Sequence, residues 1–376
     1  MKNWQRLRYN PDWMESFLMR EIVVDAIRVF FKQQGFREVE TPLMVKSPGM
    51  EPYLEVFETC LKDHNGAEHR AFLTTSPEYS MKKLLVVGLP KIFQICKSFR
   101  NGEDLRSSSH NPEFTILEWY RADSTYFDIM DDCEELMRFI YDYRERQKSN
   151  VKDGIFNSND AGNIALGNST LETHSGSRWL EYQGKRIDLS LPWERITVAQ
   201  AFEKYAGITT DDLLDEERLK ELAVERGYRA EASTWEQAYN QIFLNEIEPH
   251  FGWERPTILY EYPASQAALS QKKKDDPRFA ERFEFYIFGK ELGNAFGELT
   301  DAEEQEVRLR VEYEERKRLG KTLYELDQDF IEALKAGMPK AGGIAVGVDR
   351  LVMLFANVGV VQETMWFPAN EMFCEN

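Results

Sequence analysis

Three stretches of this chain carry side chains whose types and spacing suit electrostatic chemistry on a small anionic ligand. The densest runs from Phe99 to Tyr120, FRNGEDLRSSSHNPEFTILEWY. A strand ends in Arg100, a polar loop follows, and a second strand begins near Phe114. Alternate residues of a strand share a face, so Arg100 groups with Ser98, Cys96 and Gln94, and Phe114 with Ile116, Glu118 and Tyr120. An aromatic ring, a carboxylate and a phenol in one row would make a ligand floor. The bland alternative leaves Glu118 in water at a sheet margin and Phe114 in the core. His110 stands in the loop beside Asn111, whereas His64, His69, His174 and His250 are scattered in polar surroundings and form no metal set.

The second stretch joins Glu284 to the run Lys290–Glu298, KELGNAFGE. Asn294, Phe296 and Glu298 fall on one strand face. Glu284 and Glu291 are expected to face each other across a turn at Gly289, a pairing that suits a hard divalent cation shared with phosphates and is costly to bury without one. A solvated acidic hairpin is the alternative. The third stretch is Gly342–Arg350, GGIAVGVDR. Its small residues allow close backbone approach to a ligand. Arg350 then stands in the first turn of an apolar helix, an electropositive place that cations avoid unless a polyanion is bound there; a tight turn with a solvated arginine is the plain alternative. No serine or cysteine nucleophile has a spaced histidine and acid, so the chemistry read here is electrostatic: two arginines, an aromatic platform, a carboxylate pair and a polar pocket.

These stretches need elements to hold them. Apolar residues at helical spacing predict a helix over 12–34, ended by Gly35. A short strand is expected at 36–40 and another at 71–75. Ser76 and Pro77 open a helix that Gly88 closes. Strands are expected at 92–100 and 114–121, then a helix over 127–143. From 147 to 177 the chain turns rich in Asn, Ser and Gly, which reads as a mobile surface insertion within 144–180. A hairpin over 180–189 leads into a mostly helical stretch, 198–250. Strands resume at 257–262, 283–288 and 292–296, a charged helix covers 302–319, and a strand and helix occupy 344–357. Strand–helix alternation is too irregular for a doubly wound sheet. The fold class is α+β, a mainly antiparallel sheet flanked by helices.

Composition sets the outer bounds. At 376 residues the length fits two domains, or one large domain with insertions. A formal charge of −18 argues against non-specific binding of nucleic acid. The four cysteines, Cys60, Cys96, Cys133 and Cys374, never approach a CxxC spacing and suit a reducing compartment. No apolar run reaches transmembrane length, so a cytoplasmic protein without membrane contact is expected.

Taken in order, the segments resemble the signature motifs of class II aminoacyl-tRNA synthetases. GFREVETP, residues 35–42, resembles motif 1, the dimer-interface helix and strand. The Arg100–Tyr120 hairpin resembles motif 2, and Gly343–Arg350 with the following LVMLF resembles motif 3. FRN, HNPEFT and GVDRLVML are similar to the lysyl branch, and the likeness covers nearly everything outside 144–180. Within that branch the chain most resembles the elongation factor P lysine aminoacylases, paralogues that activate (R)-β-lysine and attach it to a lysine of elongation factor P. Motif 1 begins by residue 35, which leaves no room ahead of it for an OB-fold anticodon domain, so residues 1–376 are expected to form the catalytic domain. YEYPASQAALS, residues 260–270, resembles the paralogue, and Ala345 stands where the synthetase has glycine.

The resemblance implies ATP and magnesium as the cofactors, a homodimer, and elongation factor P rather than tRNA as acceptor. It implies that Arg100 binds the α-phosphate and substrate carboxylate, His110 and Phe114 hold the adenine, Arg350 grips the γ-phosphate, and Glu284 and Glu291 hold the metal. Glu78 would contact the amino group near the reacting end, and Glu118, Tyr120, Asn294 and Glu298 the distal ammonium. Nine residues separate Arg100 from His110, two more than expected for the family, and Gly102 occupies a usual glutamate position, for which Glu103 substitutes. A truncated lysyl-tRNA synthetase, a ligase for another acceptor, and a non-catalytic binding paralogue are the alternative readings; both arginines, the carboxylate pair and the ammonium pocket argue against the last.

Overall fold

The expected first helix forms over Met14–Gln33 (α1), and Gly35, at φ 78°, turns the chain out of it. The computed structural model describes residues 2–10, 13–152, 176–190, 192–228 and 234–374. Phe17, Val23, Ala26, Ile27, Phe30 and Phe31 of α1 are buried. Phe31 meets Phe36, Phe93 and Trp119 with ring centroids 4.9–5.0 Å apart. The buried stripe of α1 is therefore spent on the chain's own core, while Leu18 of the same helix stays exposed.

The central sheet has eight strands: β1 (Arg37–Glu38), β2 (Lys91–Phe99), β3 (Glu113–Ala122), β4 (Glu194–Thr197), β5 (Thr257–Pro263), β6 (Phe279–Ile287), β7 (Lys290–Gly297) and β8 (Ala341–Gly347). Their order is β1-β2-β3-β8-β7-β6-β5-β4. The two outermost pairs, β1 with β2 and β5 with β4, are parallel; the five inner pairs are antiparallel. The mainly antiparallel α+β architecture read from the sequence is the one observed.

Strand alternation divides the sheet cleanly. Leu117 and Trp119 of β3, Ile344 and Val346 of β8 and Phe283 and Phe285 of β6 are buried against α1, the helix Tyr126–Lys152 (α3) and the helix Val348–Phe355 (α6). Burying each such side chain contributes roughly 1.5–3 kcal/mol. The opposite face carries Phe114, Ile116, Glu118 and Tyr120 of β3. Helix Glu78–Val86 (α2), between α1 and α3 in the chain, packs there against Gln328–Gly337 (α5), with Tyr79 stacked on Phe330 at 4.5 Å. The charged helix Ala302–Arg318 (α4) buries Leu309 in the same cluster. The described part of the stretch 198–250 is mostly helical as expected, and sets Phe202, Tyr239 and Ile242, with Phe251 just after it, against Leu259, Tyr262 and Tyr286 of the sheet.

Several boundaries differ from the expectation. Helix α3 continues to Lys152, so the insertion begins later than residue 144. The hairpin Trp179–Tyr182 with Lys185–Asp188 is regular, and the Asn/Ser/Gly-rich residues 153–175 lie outside the described residues. A three-stranded sheet of Met44–Val45, Glu58–Lys62 and Glu68–Leu73, the helix Asn3–Tyr9 and α5 were not anticipated beyond the strand at 71–75.

Candidate active site

The polar face of the sheet floors a cavity of about 1,520 Å³. Arg100, Glu103, His110, Phe114, Glu78, Glu284, Glu291, Asn294, Ala345 and Arg350 all line it. The three sequence stretches are thus brought together in one place.

One end is cationic and open. Arg100 follows β2, its backbone N donating to Pro112 O at 2.9 Å. Its guanidinium lies over the Phe114 ring, 5.1 Å from the centroid, and its buried Nε has no hydrogen-bond partner. A buried N–H without an acceptor is costly, so the group suits an anionic ligand. Arg350 is the third residue of α6, as the sequence suggested. Its Nη1 donates to Glu291 O at 2.7 Å, and its Nη2 meets His110 Nε2 at 2.9 Å. Burial and the Arg350 charge hold the His110 imidazole below its ordinary pKa. A neutral ring accepting from Arg350 through Nε2 carries its proton on Nδ1, which faces the Ser107 and Ser109 hydroxyls at 3.1 and 3.2 Å.

The α6 start is fixed by Asp349, which the sequence reading did not single out. Its Oδ1 pairs with Arg20 of α1 at 2.5 Å and its Oδ2 accepts from Thr115 N at 2.7 Å. Helix, strand and core are thereby tied at the residue before Arg350. The glycines preceding it act otherwise than expected. A Cβ at Gly342 would strike Ile129 and the Thr125 carbonyl, and one at Gly343 would strike Tyr120 and Glu298. They make room for protein side chains.

The Glu284–Glu291 expectation needs correction in its register. The turn at Phe288 and Gly289 sets Glu291 opposite Tyr286, and a β-bulge between Phe285 and Tyr286 then sets Glu284 opposite Asn294. The bulge also lets Glu291 and Asn294, an odd number of residues apart, both line the cavity. Glu284 accepts from Arg282 Nη2 at 2.7 Å and from the Tyr286 hydroxyl at 2.5 Å. Withdrawal from water and the Glu284 charge push Glu291 up to about 7. No group of three or more His, Cys, Asp or Glu side chains arranged for a metal occurs among the described residues. Two neighbouring carboxylates on the cavity wall fit a hard cation whose remaining ligands come from phosphate. Asn294 is bound away from the expected ammonium site, its Oδ1 accepting from Arg282 Nε at 3.1 Å.

The other end is anionic and dry. Glu118 has no exposure, and its oxygens accept from the Ser76 hydroxyl at 2.6 Å and the Tyr120 hydroxyl at 2.9 Å. Burial, then the Glu78 charge, pushes it up to about 8. Glu298 is 1% exposed and is also pushed up to about 8, by burial against the opposing pull of Lys82. Glu118, Tyr120 and Glu298 are not on the cavity wall; they form a layer directly behind Ser76 and Glu78, which are. The sequence reading placed a ligand ammonium between these carboxylates, but it missed Lys82. Its Nζ lies 2.5 Å from both Glu78 and Glu298. Ala345 is in register with Glu118 on one side and Asn294 on the other. Glu51 and Glu312 are among the wall carboxylates that were missed; burial and Glu51 push Glu312 up to about 8.

No helix among the described residues is long and apolar enough to cross a membrane. The family model for class II tRNA synthetases (D, K and N) matches residues 2–371. A lysine–tRNA ligase of Moorella thermoacetica is 34% identical over 96% of this chain and 66% of its own length. One of Carboxydothermus hydrogenoformans matches to the same extent, so the chain spans just under two thirds of these relatives. An elongation factor P–(R)-β-lysine ligase of Avibacterium paragallinarum is 34% identical over 94% of this chain and 95% of its own length. With a family model spanning nearly all of it, this chain belongs to the class II tRNA synthetases of the D, K and N group.

Proposed function

We propose that the protein activates (R)-β-lysine or lysine with ATP as an aminoacyl-adenylate and transfers it to a lysine side chain of elongation factor P. The observation that carries this reading is the polarity of one cavity, with Arg100 and Arg350 at one end and the Glu78–Glu118–Glu298 layer at the other. An amino acid with a distal ammonium and a reacting carboxylate is polarised in that sense.

In the first step a substrate carboxylate oxygen attacks the α-phosphorus and pyrophosphate leaves. Arg100 holds the carboxylate and α-phosphate, Phe114, His110 and Glu103 frame the adenine, and Arg350 holds the outer phosphate. Glu284 and Glu291 are the residues to hold magnesium, which when bound neutralises phosphate charge. Glu78 meets the amino group near the reacting end; Glu118, Tyr120 and Glu298, one layer behind the wall, supply the negative field for the distal one. In the second step the acceptor amine, having lost its proton, attacks the adenylate carbonyl and AMP leaves.

Elongation factor P as acceptor is supported by the relative matched over 95% of its length. Transfer to tRNA is the second reading, favoured by lysine–tRNA ligases of equal identity. Incubation with ATP, each lysine isomer and either purified elongation factor P or tRNA separates them, read by intact mass for the protein and by acid-stable precipitation for the tRNA. A mass gain on elongation factor P is expected. Charging of tRNA alone would contradict the proposed acceptor. We also propose a homodimer; the exposed Trp4, Leu18, Trp366 and Phe367 offer it an apolar surface, and a monomer in sedimentation at micromolar concentration would refute it.

A further inference from the structure

Lys82 takes no part in the reaction as written above, yet its side chain has no exposure. It lies one helical turn after Glu78 on α2, a spacing that puts both on one face. From there its ammonium group reaches Glu298, which follows β7, as well as Glu78. The Phe330 ring of α5, 6.0 Å from Nζ, closes one side. Beyond Lys82, neither oxygen of Glu298 has a hydrogen-bond partner. Glu118 is different, since two hydroxyls hold it. The placement of Glu298 depends on Lys82, and a carboxylate left alone at such a depth would take up a proton.

The charged and titratable groups around Lys82 come from four elements. They are Glu78 of α2, Glu118 and Tyr120 of β3, Glu298 after β7 and, beyond Glu78, Glu312 of α4. Within the layer itself three carboxylates meet one ammonium, which leaves two negative charges unmatched when all are ionised.

We propose that Lys82 is the positioning residue of this pocket: it fixes Glu298 and Glu78 and trims three carboxylates to a surplus of two charges, which selects amino acids bearing two ammonium groups. This rests on the activation reaction proposed above. Lys82 touches neither the phosphates nor the reacting carboxylate; it acts through Glu298.

The test is ATP–pyrophosphate exchange with L-lysine and (R)-β-lysine, in the parent and in Lys82→Met, from about pH 6 to about pH 9. The amino-acid KM should rise at least about tenfold while the ATP KM stays within about twofold. The pH at which the amino-acid KM falls should move upward, because Glu298 loses the cation that favours its charged form. A packing role alone would leave that profile in place, and an unchanged profile with an unchanged amino-acid KM overturns the inference. Should Lys82→Met fail to fold, the paired variant Lys82→Met/Glu298→Gln removes both buried charges together. Its amino-acid KM should lie within about threefold of that of Glu298→Gln alone; a further tenfold rise overturns the inference. Exchange absent from the parent with every diamino acid sinks the activation reaction and this inference together. Exchange present in the parent with no effect of either variant sinks the inference alone.

Discussion

The two ends of the cavity solve opposite problems. At the phosphate end, Arg100 keeps a buried Nε without a partner, and Arg350 is tied by its side chain to a backbone carbonyl and a neutral histidine. At the ammonium end Glu118 is held by two hydroxyls and Glu298 and Glu78 share Lys82, which leaves a surplus of negative charge when all three carboxylates are ionised. The open end can meet a large, well-hydrated polyanion with little rearrangement. The dry end meets a small cation with pre-set charges, at a depth where one wrong charge is expensive. Affinity for ATP is therefore expected to sit at the first end and choice of amino acid at the second.

Substitutions can break that division. The largest effect is expected for Arg100→Ala, since this guanidinium serves the point where charge develops. Exchange should fall by about 100-fold or more, and in Arg350→Ala by at least about tenfold with a raised ATP KM. Normal exchange kinetics in either variant would remove that arginine from the site. Glu298→Gln should cost roughly 1.5–3 kcal/mol in amino-acid binding, or about 10- to 150-fold, with ATP affinity held within about twofold. Equal losses for both ligands in calorimetry would erase the contrast between the ends.

The middle of the cavity offers a subtler test. Ala345 adds a methyl group between Glu118 and Asn294, which on the proposed reading crowds an α-amino group more than a β-amino group. (R)-β-Lysine should be preferred, and Ala345→Gly should narrow the preference by about tenfold through better use of L-lysine. An unchanged ratio of kcat/KM values would show that the methyl group plays no part.

The smallest effect concerns pH. Glu118 and Glu298 are each pushed up to about 8. A substrate ammonium favours their charged forms, so amino-acid binding should release protons at pH 7 and tighten as pH rises toward about 8. Folding carries the opposite sign. The folded carboxyls hold protons that the unfolded chain releases above about pH 4.5, so the free protein should lose stability as pH rises from there through about 8. Glu118→Gln and Glu298→Gln should flatten both trends. Calorimetry in two buffers of different ionisation enthalpy, with thermal unfolding across the same interval, reads them; amino-acid binding without proton release would contradict the assignment.

What the sequence disclosed followed strand periodicity. The row Phe114, Ile116, Glu118 and Tyr120 shares a face because alternation in a strand leaves no other choice, and Arg350 enters α6 where the glycine-rich strand ends. What it hid depended on contacts between distant elements. Lys82 and Arg316 read as ordinary surface charges of amphipathic helices, yet both are buried. Lys82 joins two carboxylates, and Arg316 donates to the carbonyls of Glu51, Leu54 and Thr322. Arg282 and Asp349 were passed over for the same reason: Arg282 reaches Asn294 of β7 and the Gln266 carbonyl, and Asp349 reaches Arg20 of α1 and Thr115 of β3. The Glu284–Glu291 pairing failed on register: the turn sets Glu291 opposite Tyr286, and a bulge that period-2 reasoning cannot anticipate sets Glu284 opposite Asn294.

The most direct test of the central claim is ATP–pyrophosphate exchange driven by (R)-β-lysine, L-lysine and norleucine side by side. Norleucine keeps the length and the reacting carboxylate of lysine but lacks the distal ammonium. Exchange is expected with the two diamino acids, with norleucine at least about 100-fold weaker in kcat/KM because the buried carboxylates are left unpaired. Exchange of similar efficiency with norleucine, or none with either diamino acid, would contradict the account.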